Sequence, residues 1–237
     1  MNNFQNPIIT LDCDWAPDFM LNEIADIFTK NKIKATWFIT NDSPFLEKLK
    51  SNSLFELGIH PNFEPNSTQG KTVDEILKNM KKIVPNALSI RTHRLFQSTP
   101  ILTKFQKYDI ENDVSLLLYK TPNLQPHYLK YFKLFRLPFF WEDDLEMNED
   151  AMWKDRKIFS IKGLKIFNFH PIHIILNSKN LQEYNKLKTK KDFKEIEKED
   201  IDNLINKKDG TKSFFENLIA HLKNKKTYTI SELIKKD

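Results

Sequence analysis

The sequence contains few of the residues on which several large classes of protein depend. Of its 237 residues, one is cysteine and four are glycine. The lone Cys13 excludes an intramolecular disulfide, and the glycines form no loop of the kind that cradles nucleotide phosphates. No apolar run approaches the roughly 18 residues needed to cross a bilayer, and the N-terminus lacks a secretory signal. We therefore expect a cytoplasmic protein without a transmembrane segment, whose function is hydrolysis or simple binding.

The net charge says little about partners. The 37 Lys and Arg residues exceed the 32 Asp and Glu residues to give +5, but much of the lysine lies in mixed-sign runs such as 186–198. Such runs are typical of a solvated helix face, so we expect no nucleic-acid partner. Because no Gly/Ser-rich linker interrupts a chain of this length, one domain over residues 1–237 is favoured.

Apolar periodicity alternates between strand-like and helix-like segments. Strands are predicted at 8–11, 35–39, 55–59, 87–90, 109–114, 132–137, 164–169 and 228–230. Helices are predicted between them; one of these begins with a capping box formed by Thr72 and Glu75, and the charged segment 179–208 is also expected to be helical. This rhythm predicts an α/β fold with a parallel sheet, either open or closed into a barrel.

Polar side chains collect at the C-terminal ends of the predicted strands. They are Asp12, Asp14, Thr40, Asn41, His60, Arg91, His93 and His170. Because the loops at that edge of a parallel sheet converge, ligand-binding and catalytic groups concentrate there. Asp and His are common ligands of zinc and related divalent ions, so the shared placement indicates a metal site. For each histidine alone, a hydrogen-bonded structural role is the alternative, and His127 and His221 are expected to be structural or exposed.

Asp12 and Asp14 are the starting point for a mechanism. Alternate residues of a strand share a face, and two adjacent carboxylates repel each other unless a cation or a shared proton offsets their charge. A divalent ion polarises a carbonyl group, while a free carboxylate beside it accepts a proton from water. His170 would protonate a leaving amine. Arg91 would orient one carboxylate, with an ordinary salt bridge as the alternative.

These motifs resemble, in the same order, those of the polysaccharide deacetylase family, also called the NodB-homology or carbohydrate esterase family 4 group. The similar segments are Leu11-Asp12-Cys13-Asp14-Trp15, Gly58-Ile59-His60, Ile90-Arg91-Thr92-His93-Arg94, Asn168-Phe169-His170-Pro171-Ile172-His173 and, more weakly, Phe140-Trp141-Glu142-Asp143-Asp144. The resemblance covers most of the chain and implies a distorted (β/α) barrel. It also implies Asp12 as general base, Asp14 and His60 as ligands of a divalent metal such as zinc, Arg91 as the residue that steadies the base, and His170 as general acid.

The second motif of that family is His-x-x-His, but here Phe63 stands where the second histidine belongs. His93 is the strongest substitute by residue type and placement, and Glu64 and Gln69 are alternatives. The resemblance further implies a set of substrate-binding residues. They are Trp15, Asn62, Trp141, Asp143 and His173.

The overall pattern is similar to a divergent subset of the family that we associate with bacterial surface-polysaccharide biosynthesis. The resemblance therefore implies a metal-dependent hydrolase that removes an N-acetyl or similar acyl group from a soluble or lipid-linked sugar precursor. A metal-independent hydrolase of small C–N substrates with the same fold is a second hypothesis. A catalytically silent carbohydrate-binding protein, which the altered second motif favours, is a third.

Overall fold

The chain folds around one curled sheet, and the computed structural model describes residues 4–148 and 151–234. The strands are β1 (Ile8–Asp12), β2 (Ala35–Ile39), β3 (Phe55–Ile59), β4 (Ser89–Ile90), β5 (Asn112–Asp113), β6 (His127–Leu129), β7 (Leu134–Arg136), β8 (Trp141–Glu142) and β9 (Ile166–Phe169). Their order in the sheet is β6-β7-β5-β4-β3-β2-β1-β9-β8. All neighbours are parallel except the antiparallel pair β6 and β7. The result is an open half-barrel, which confirms the predicted distorted barrel.

Helices alternate with most of the strands. They are α1 (Asp18–Asn31), α2 (Leu46–Lys50), α3 (Val73–Ile83), α4 (Thr99–Phe105), α5 (Asp143–Asn148), α6 (Pro171–Leu176), α7 (Gln182–Lys190), α8 (Lys198–Ile201), α9 (Thr211–Leu222) and α10 (Ile230–Ile234). Short 3₁₀ helices lie at His93–Leu95, Gln106–Tyr108, Lys157–Ser160 and Phe193–Glu195. α3 begins where the capping box is predicted: Thr72 Oγ1 accepts a hydrogen bond from the Glu75 amide, although the Glu75 carboxylate accepts from the amide of Lys71 rather than Thr72.

Burial explains why the central strands read as continuous apolar runs. All five residues of β1 and all five of β2 are buried, because helices cover the outer face of the sheet while the barrel interior fills the other. Pairing in register places Leu11 beside Trp37. The carboxyl ends of β1, β2, β3, β4 and β9 therefore lie side by side at one edge, where they carry the polar residues that follow each strand.

The structure differs from the sequence prediction in four places. The expected strand at 228–230 is wrong, because that segment leads directly into α10. The strands β6 and β8 were not predicted, since two or three residues are too few to show a period. The charged segment 179–208 is broken into α7, a 3₁₀ turn and α8 rather than forming one helix.

No helix in residues 4–148 or 151–234 combines the length and apolar character that a membrane span requires.

Candidate active site

Asp12 lies at the end of β1, where a buried polar network holds its carboxylate. Arg91 Nη1 donates to Asp12 Oδ1 at 3.0 Å, and Asn168 Nδ2 donates to Asp12 Oδ2 at 2.8 Å. Arg91 also donates to Asn168 Oδ1 and to the hydroxyl of Thr10. The guanidinium lies between the rings of Phe38 and Phe139, and the Arg91 side chain is completely buried. Asp12 is thereby fixed in orientation beside a positive charge, in the relation the sequence predicts for Arg91.

Asp14 reaches the site through an unusual turn. The strand ends at Asp12. Both Asp14 (φ 41°) and Trp15 (φ 57°) then adopt left-handed backbone conformations, which residues other than glycine rarely adopt. The Trp15 amide donates to Thr40 Oγ1 at 2.9 Å, which ties this turn to the end of β2. The expectation that Asp12 and Asp14 share a strand face is therefore wrong. The two carboxylates instead approach opposite nitrogens of one imidazole, that of His60.

Three side-chain atoms form a nearly equilateral triangle at the mouth of the sheet. Asp14 Oδ1 lies 3.2 Å from His60 Nε2 and 3.2 Å from His93 Nδ1, and these two nitrogens are 3.3 Å apart. Asp14 Oδ1 is buried but has no hydrogen bond of ordinary geometry among the described residues. Three ligands of a tetrahedral zinc ion at 2.0–2.1 Å are separated from one another by about 3.3 Å. The triangle therefore has the spacing needed to hold one such ion.

The groups around the triangle favour the ionised form of the Asp14 carboxyl group, which is the form that binds a metal ion. Burial opposes ionisation of Asp14, but the neighbouring His60 and His93 outweigh it, so the pKa of Asp14 lies well below its ordinary value. Burial lowers the pKa of His60, while Asp12 and Asp14 raise it more. A divalent cation would replace the protons that this cluster attracts.

The other candidates for the third ligand have different contacts. Gln69 Nε2 donates to the carbonyl groups of Thr40 and His60, and Gln69 Oε1 accepts from the Asn62 amide. Glu64 is paired with Arg94 at 2.9 Å. The loop after His60 is thus held together by its own polar groups, and His93 comes from the next strand along the sheet to complete the triangle.

The second wall of the site centres on His170, which follows β9. Its Nδ1 is 2.7 Å from Asp143 Oδ1, and its backbone amide donates to Asp143 Oδ2 at 2.9 Å. Nε2 lies on the other side of the ring, 3.6 Å from Asp14 Oδ2. Burial alone would lower the pKa of His170, but the carboxylates of Asp144 and Asp143 raise it well above its ordinary value. The His170 imidazole is therefore oriented toward the triangle, and its surroundings favour the protonated form.

Two further acidic residues border this wall. Asp144 Oδ1 lies 2.8 Å from His173 Nε2, and His173 Nδ1 is 3.0 Å from Ser178 Oγ. Glu142 accepts a hydrogen bond from Asn168 Nδ2 at 3.2 Å, so that one amide contacts both Glu142 and Asp12. Burial raises the pKa of Glu142 to about 7. Neither Glu142 nor Asp144 was among the predicted site residues.

Three of the predicted substrate contacts have different surroundings. Trp141 is 0% exposed: its indole stacks on Phe214 and donates to Glu146, so its side chain belongs to the core. Asp143 is also 0% exposed and contacts His170 rather than open space. Asn62 Oδ1 accepts from the Glu64 amide within its own loop. Trp141 and Asp143 are thus buried away from the groove in the structure described, and substrate contact by them stays a prediction.

A groove with two lobes, of about 220 Å³ and 590 Å³, opens over these residues. The lobes share Asp14, His93, Asp144, His170, Tyr184 and Lys188. The smaller lobe is also lined by Trp15, whose ring packs edge-on against His93 with centroids 5.3 Å apart, and by His173. The groove is wide enough for a sugar ring, and its floor consists of the triangle and His170.

Tyr184 and Lys188 lie on α7, in the charged segment 179–208, and were not among the predicted site residues; Lys188 also falls in the run 186–198 that was interpreted as a solvated helix face. Their i, i+4 spacing places them on one side of the helix, but nothing in the local sequence shows that this side covers the groove. Asn168 had a detectable signal. It lies two positions before His170, and it is the polar residue of a buried strand whose other residues are apolar.

Comparison with known proteins places these observations in a family. A family model described as WbmS-like polysaccharide deacetylase matches residues 9–188. A solved structure from Bordetella bronchiseptica, of a polysaccharide deacetylase assigned to O-antigen biosynthesis, is 31% identical in sequence with a TM-score of 0.84. The alignment covers 92% of this chain and 91% of that one. No curated protein sequence matches this chain.

More distant structures share the fold. A family 4 acetyl xylan esterase from Clostridium thermocellum, solved with a cobalt ion, is 15% identical over 96% of this chain and 89% of that chain, with a TM-score of 0.50. A carbohydrate esterase family 4 pseudoenzyme from Bacillus anthracis is 13% identical over 99% of this chain and 67% of that chain, also with a TM-score of 0.50. At such identities, the likeness concerns the distorted barrel alone.

Proposed function

The chain belongs to the WbmS-like polysaccharide deacetylase family, as its motifs predict, and is a hydrolase of C–N bonds; from this premise, we propose that it uses a divalent metal ion to remove an N-acetyl or similar acyl group from a sugar. The family membership defines the reaction class. The metal, the residue roles and the sugar are inferred below from the geometry of the site.

The triangle of Asp14, His60 and His93 is the observation that carries the proposal. Its edges of 3.2, 3.2 and 3.3 Å fit a tetrahedral ion such as zinc. It includes a buried carboxylate oxygen that has no hydrogen bond of ordinary geometry within the part of the chain that the structure describes. These three residues would hold the ion. When bound, a divalent ion supplies a Lewis acid at the acyl carbonyl and makes water more acidic.

Asp12 is the general base in this proposal. It lies outside the triangle, is not needed as a ligand, and is held by Arg91 and Asn168 with its carboxylate beside His60. As water adds to the acyl carbon, one of its protons passes to Asp12. The fixed orientation of the carboxylate matters because proton transfer requires hydrogen-bond distance in the reacting geometry.

His170 is the general acid. Asp143 anchors Nδ1, so the protonated Nε2 faces the groove and is available to the departing nitrogen. As the C–N bond breaks, the proton from Nε2 passes to that nitrogen. The products are an amine and a carboxylic acid. The raised pKa of His170 keeps this proton in place at neutral pH.

The proposed substrate is a soluble or lipid-linked sugar precursor of a bacterial surface glycan. The similar Bordetella bronchiseptica protein is assigned to O-antigen biosynthesis, and the groove is lined by aromatic side chains that suit the apolar face of a sugar, among them Trp15 and Tyr184. Phe63 is buried, and His93, in the 3₁₀ helix after β4, supplies the imidazole that the second motif lacks. This substitution speaks against a silent binding protein.

The experiment is to purify the protein, determine metal content by elemental mass spectrometry, and follow acetate release from a panel of N-acetylated sugars and nucleotide sugars. We expect about one divalent ion per chain and release that stops on chelation and returns with added zinc. Release that is insensitive to chelation would favour the metal-independent C–N hydrolase. A loaded protein that releases nothing from any member of the panel would favour the binding protein.

A further inference from the structure

The groove has a cation on its wall that the proposed hydrolysis does not use. Lys188, on α7, lines both lobes of the groove. Resting on the function proposed above, we propose that the acylated sugar is anionic and that the Lys188 ammonium group binds its carboxylate or phosphate. The site would then select a charged sugar rather than a neutral one.

Lys188 lines the groove without an acidic partner. Among the described residues, no carboxylate oxygen lies within 4.0 Å of the Lys188 ammonium nitrogen. By contrast, Lys186 pairs with Glu183 at 2.7 Å and Lys191 pairs with Asp200 at 2.7 Å. The ammonium group of Lys188 is thus open to an anion that enters the groove.

The position of Lys188 is set by an aromatic cluster rather than by a charge. Tyr184, one turn earlier, packs against His173 with ring centroids 4.8 Å apart and against Phe193 at 5.4 Å. The Lys188 nitrogen lies 5.8 Å from the centroid of the Tyr184 ring. Because Tyr184 packs against His173 and lies one turn from Lys188, it places the backbone of Lys188 beside the wall that carries His170.

The remaining charges in the groove make Lys188 the available anion-binding group. Arg94 at the opposite rim is paired with Glu64 at 2.9 Å, and Arg91 is buried beneath Asp12. The acidic residues of the floor contact histidines: Asp14 faces His60 and His93, and Asp144 faces His173. Lys188 is therefore the Lys or Arg side chain of the groove lining that no described carboxylate pairs.

An ammonium group recognises charge without demanding a planar, two-pronged partner. A carboxylate on the sugar ring and a phosphate or diphosphate at its anomeric position would both satisfy it. A hydrogen bond to a charged group is stronger than a neutral one, but solvent screening weakens an ion pair at an exposed site. Since Lys188 is exposed, we expect its loss to weaken anion binding by about 3- to 10-fold.

The test measures binding by calorimetry on the metal-loaded protein, so it does not depend on turnover. Four probes are compared: N-acetylglucosamine, N-acetylglucosaminuronic acid, N-acetylglucosamine 1-phosphate and UDP-N-acetylglucosamine. We expect at least one anionic probe to bind more tightly than the neutral sugar, and the preferred anion identifies the source of the charge. Lys188→Gln should weaken that probe about 3- to 10-fold and Lys188→Glu should weaken it more, while neither changes the neutral sugar. Lys190→Gln, on the same helix but outside the groove, is the matched control.

Equal affinity for the neutral and anionic probes, including no measurable binding of any, would overturn the inference. So would equal losses for the neutral and anionic probes in Lys188→Gln. Charge discrimination without acetate release from any sugar would leave Lys188 as the anion-binding residue and would contradict the proposed hydrolysis instead. Acetate release without charge discrimination would support the proposed hydrolysis and would contradict the role of Lys188 as the anion-binding residue.

Discussion

The two ends of the sheet both contain carboxylates among polar side chains, but they differ in how completely those groups are satisfied. At the amino end, Glu56 accepts hydrogen bonds from the hydroxyl groups of Thr36, Ser89 and Ser231 and from the Ser231 amide. This cluster uses both carboxylate oxygens and joins β2, β3, β4 and α10. It closes the bottom of the half-barrel as a hydrogen-bonded structural unit.

At the carboxyl end, several buried polar atoms have no hydrogen bond among the described residues. They include Asp14 Oδ1, His60 Nδ1 and Arg91 Nη2. Leaving such atoms unsatisfied costs about 1–3 kcal/mol each, so their accumulation at one end of the sheet needs an explanation. Left-handed backbone adds strain in the loop after β1, at Asp14 and Trp15, and in the loop after β4, at Arg94 and Leu95. We attribute the unsatisfied polar atoms and the strained backbone at the carboxyl end of the sheet to function rather than to stability.

Removing a residue of the triangle should have the largest effect on activity and little effect on folding. We expect His60→Ala and His93→Ala to lose most of their bound metal and to lose activity on the order of 10³-fold or more, because the Lewis acid contributes several kcal/mol. Metal content and acetate release are the measurements. His127→Ala is the control, since His127 is exposed on β6. Full metal content in His93→Ala would mean that Glu64 or Gln69, rather than His93, is the third ligand.

Replacing the proposed base or acid should separate catalysis from metal binding. Asp12→Asn and His170→Asn are each expected to lower the rate by about 10²–10⁴-fold while metal content stays at the parent level. Asp42→Asn is the control, because this exposed aspartate also follows a strand, β2, but lies outside the groove. Undiminished turnover in Asp12→Asn would contradict its role as base, and loss of metal would make it a ligand.

The pH profile tests the link between Asp143 and His170. His170 has a raised pKa, so the proton that it donates is present below that pKa and is lost as pH rises through it. Asp143→Asn removes a negative charge that raises this pKa, so the alkaline fall in kcat/KM should begin at lower pH. The loss relative to the parent should be larger at pH 9 than at pH 6. An alkaline limb that does not move would show that another group controls it.

The smallest effect on catalysis is expected at the amino end, where the change should appear in stability. Glu56→Ala removes the acceptor of four hydrogen bonds and should lower the free energy of unfolding by about 1–3 kcal/mol, with metal content unchanged. Urea denaturation measures the difference. Glu47→Ala, at an exposed ion pair on α2, should change stability by less than about 0.5 kcal/mol. A metal-depleted Glu56→Ala would mean that the two ends are coupled.

Much of the site was predictable because strand ends have a recognisable local pattern. Asp12, Asp14, His60, Arg91 and His170 each follow a buried apolar run, and parallel strands bring such positions to one edge. The alternation of strands and helices likewise determined the α/β class. The short strands β6 and β8 and the break in segment 179–208 were not predicted, because so few residues show no period.

Tertiary structure alone decided which neighbours share the site. In β8, Trp141 faces the core and Glu142 faces the groove, and the choice between adjacent residues depends on which side of the sheet is closed. A left-handed turn, not strand alternation, directs Asp14 toward His60, and His93 completes the triangle from a different strand. Lys188 reaches the groove because α7 folds across it, far along the chain from the metal ligands. The sequence by itself determined the residue types and their strand-end positions, since these follow from local burial, whereas distances of 3.2–3.3 Å between atoms on separate loops depend on the packed fold.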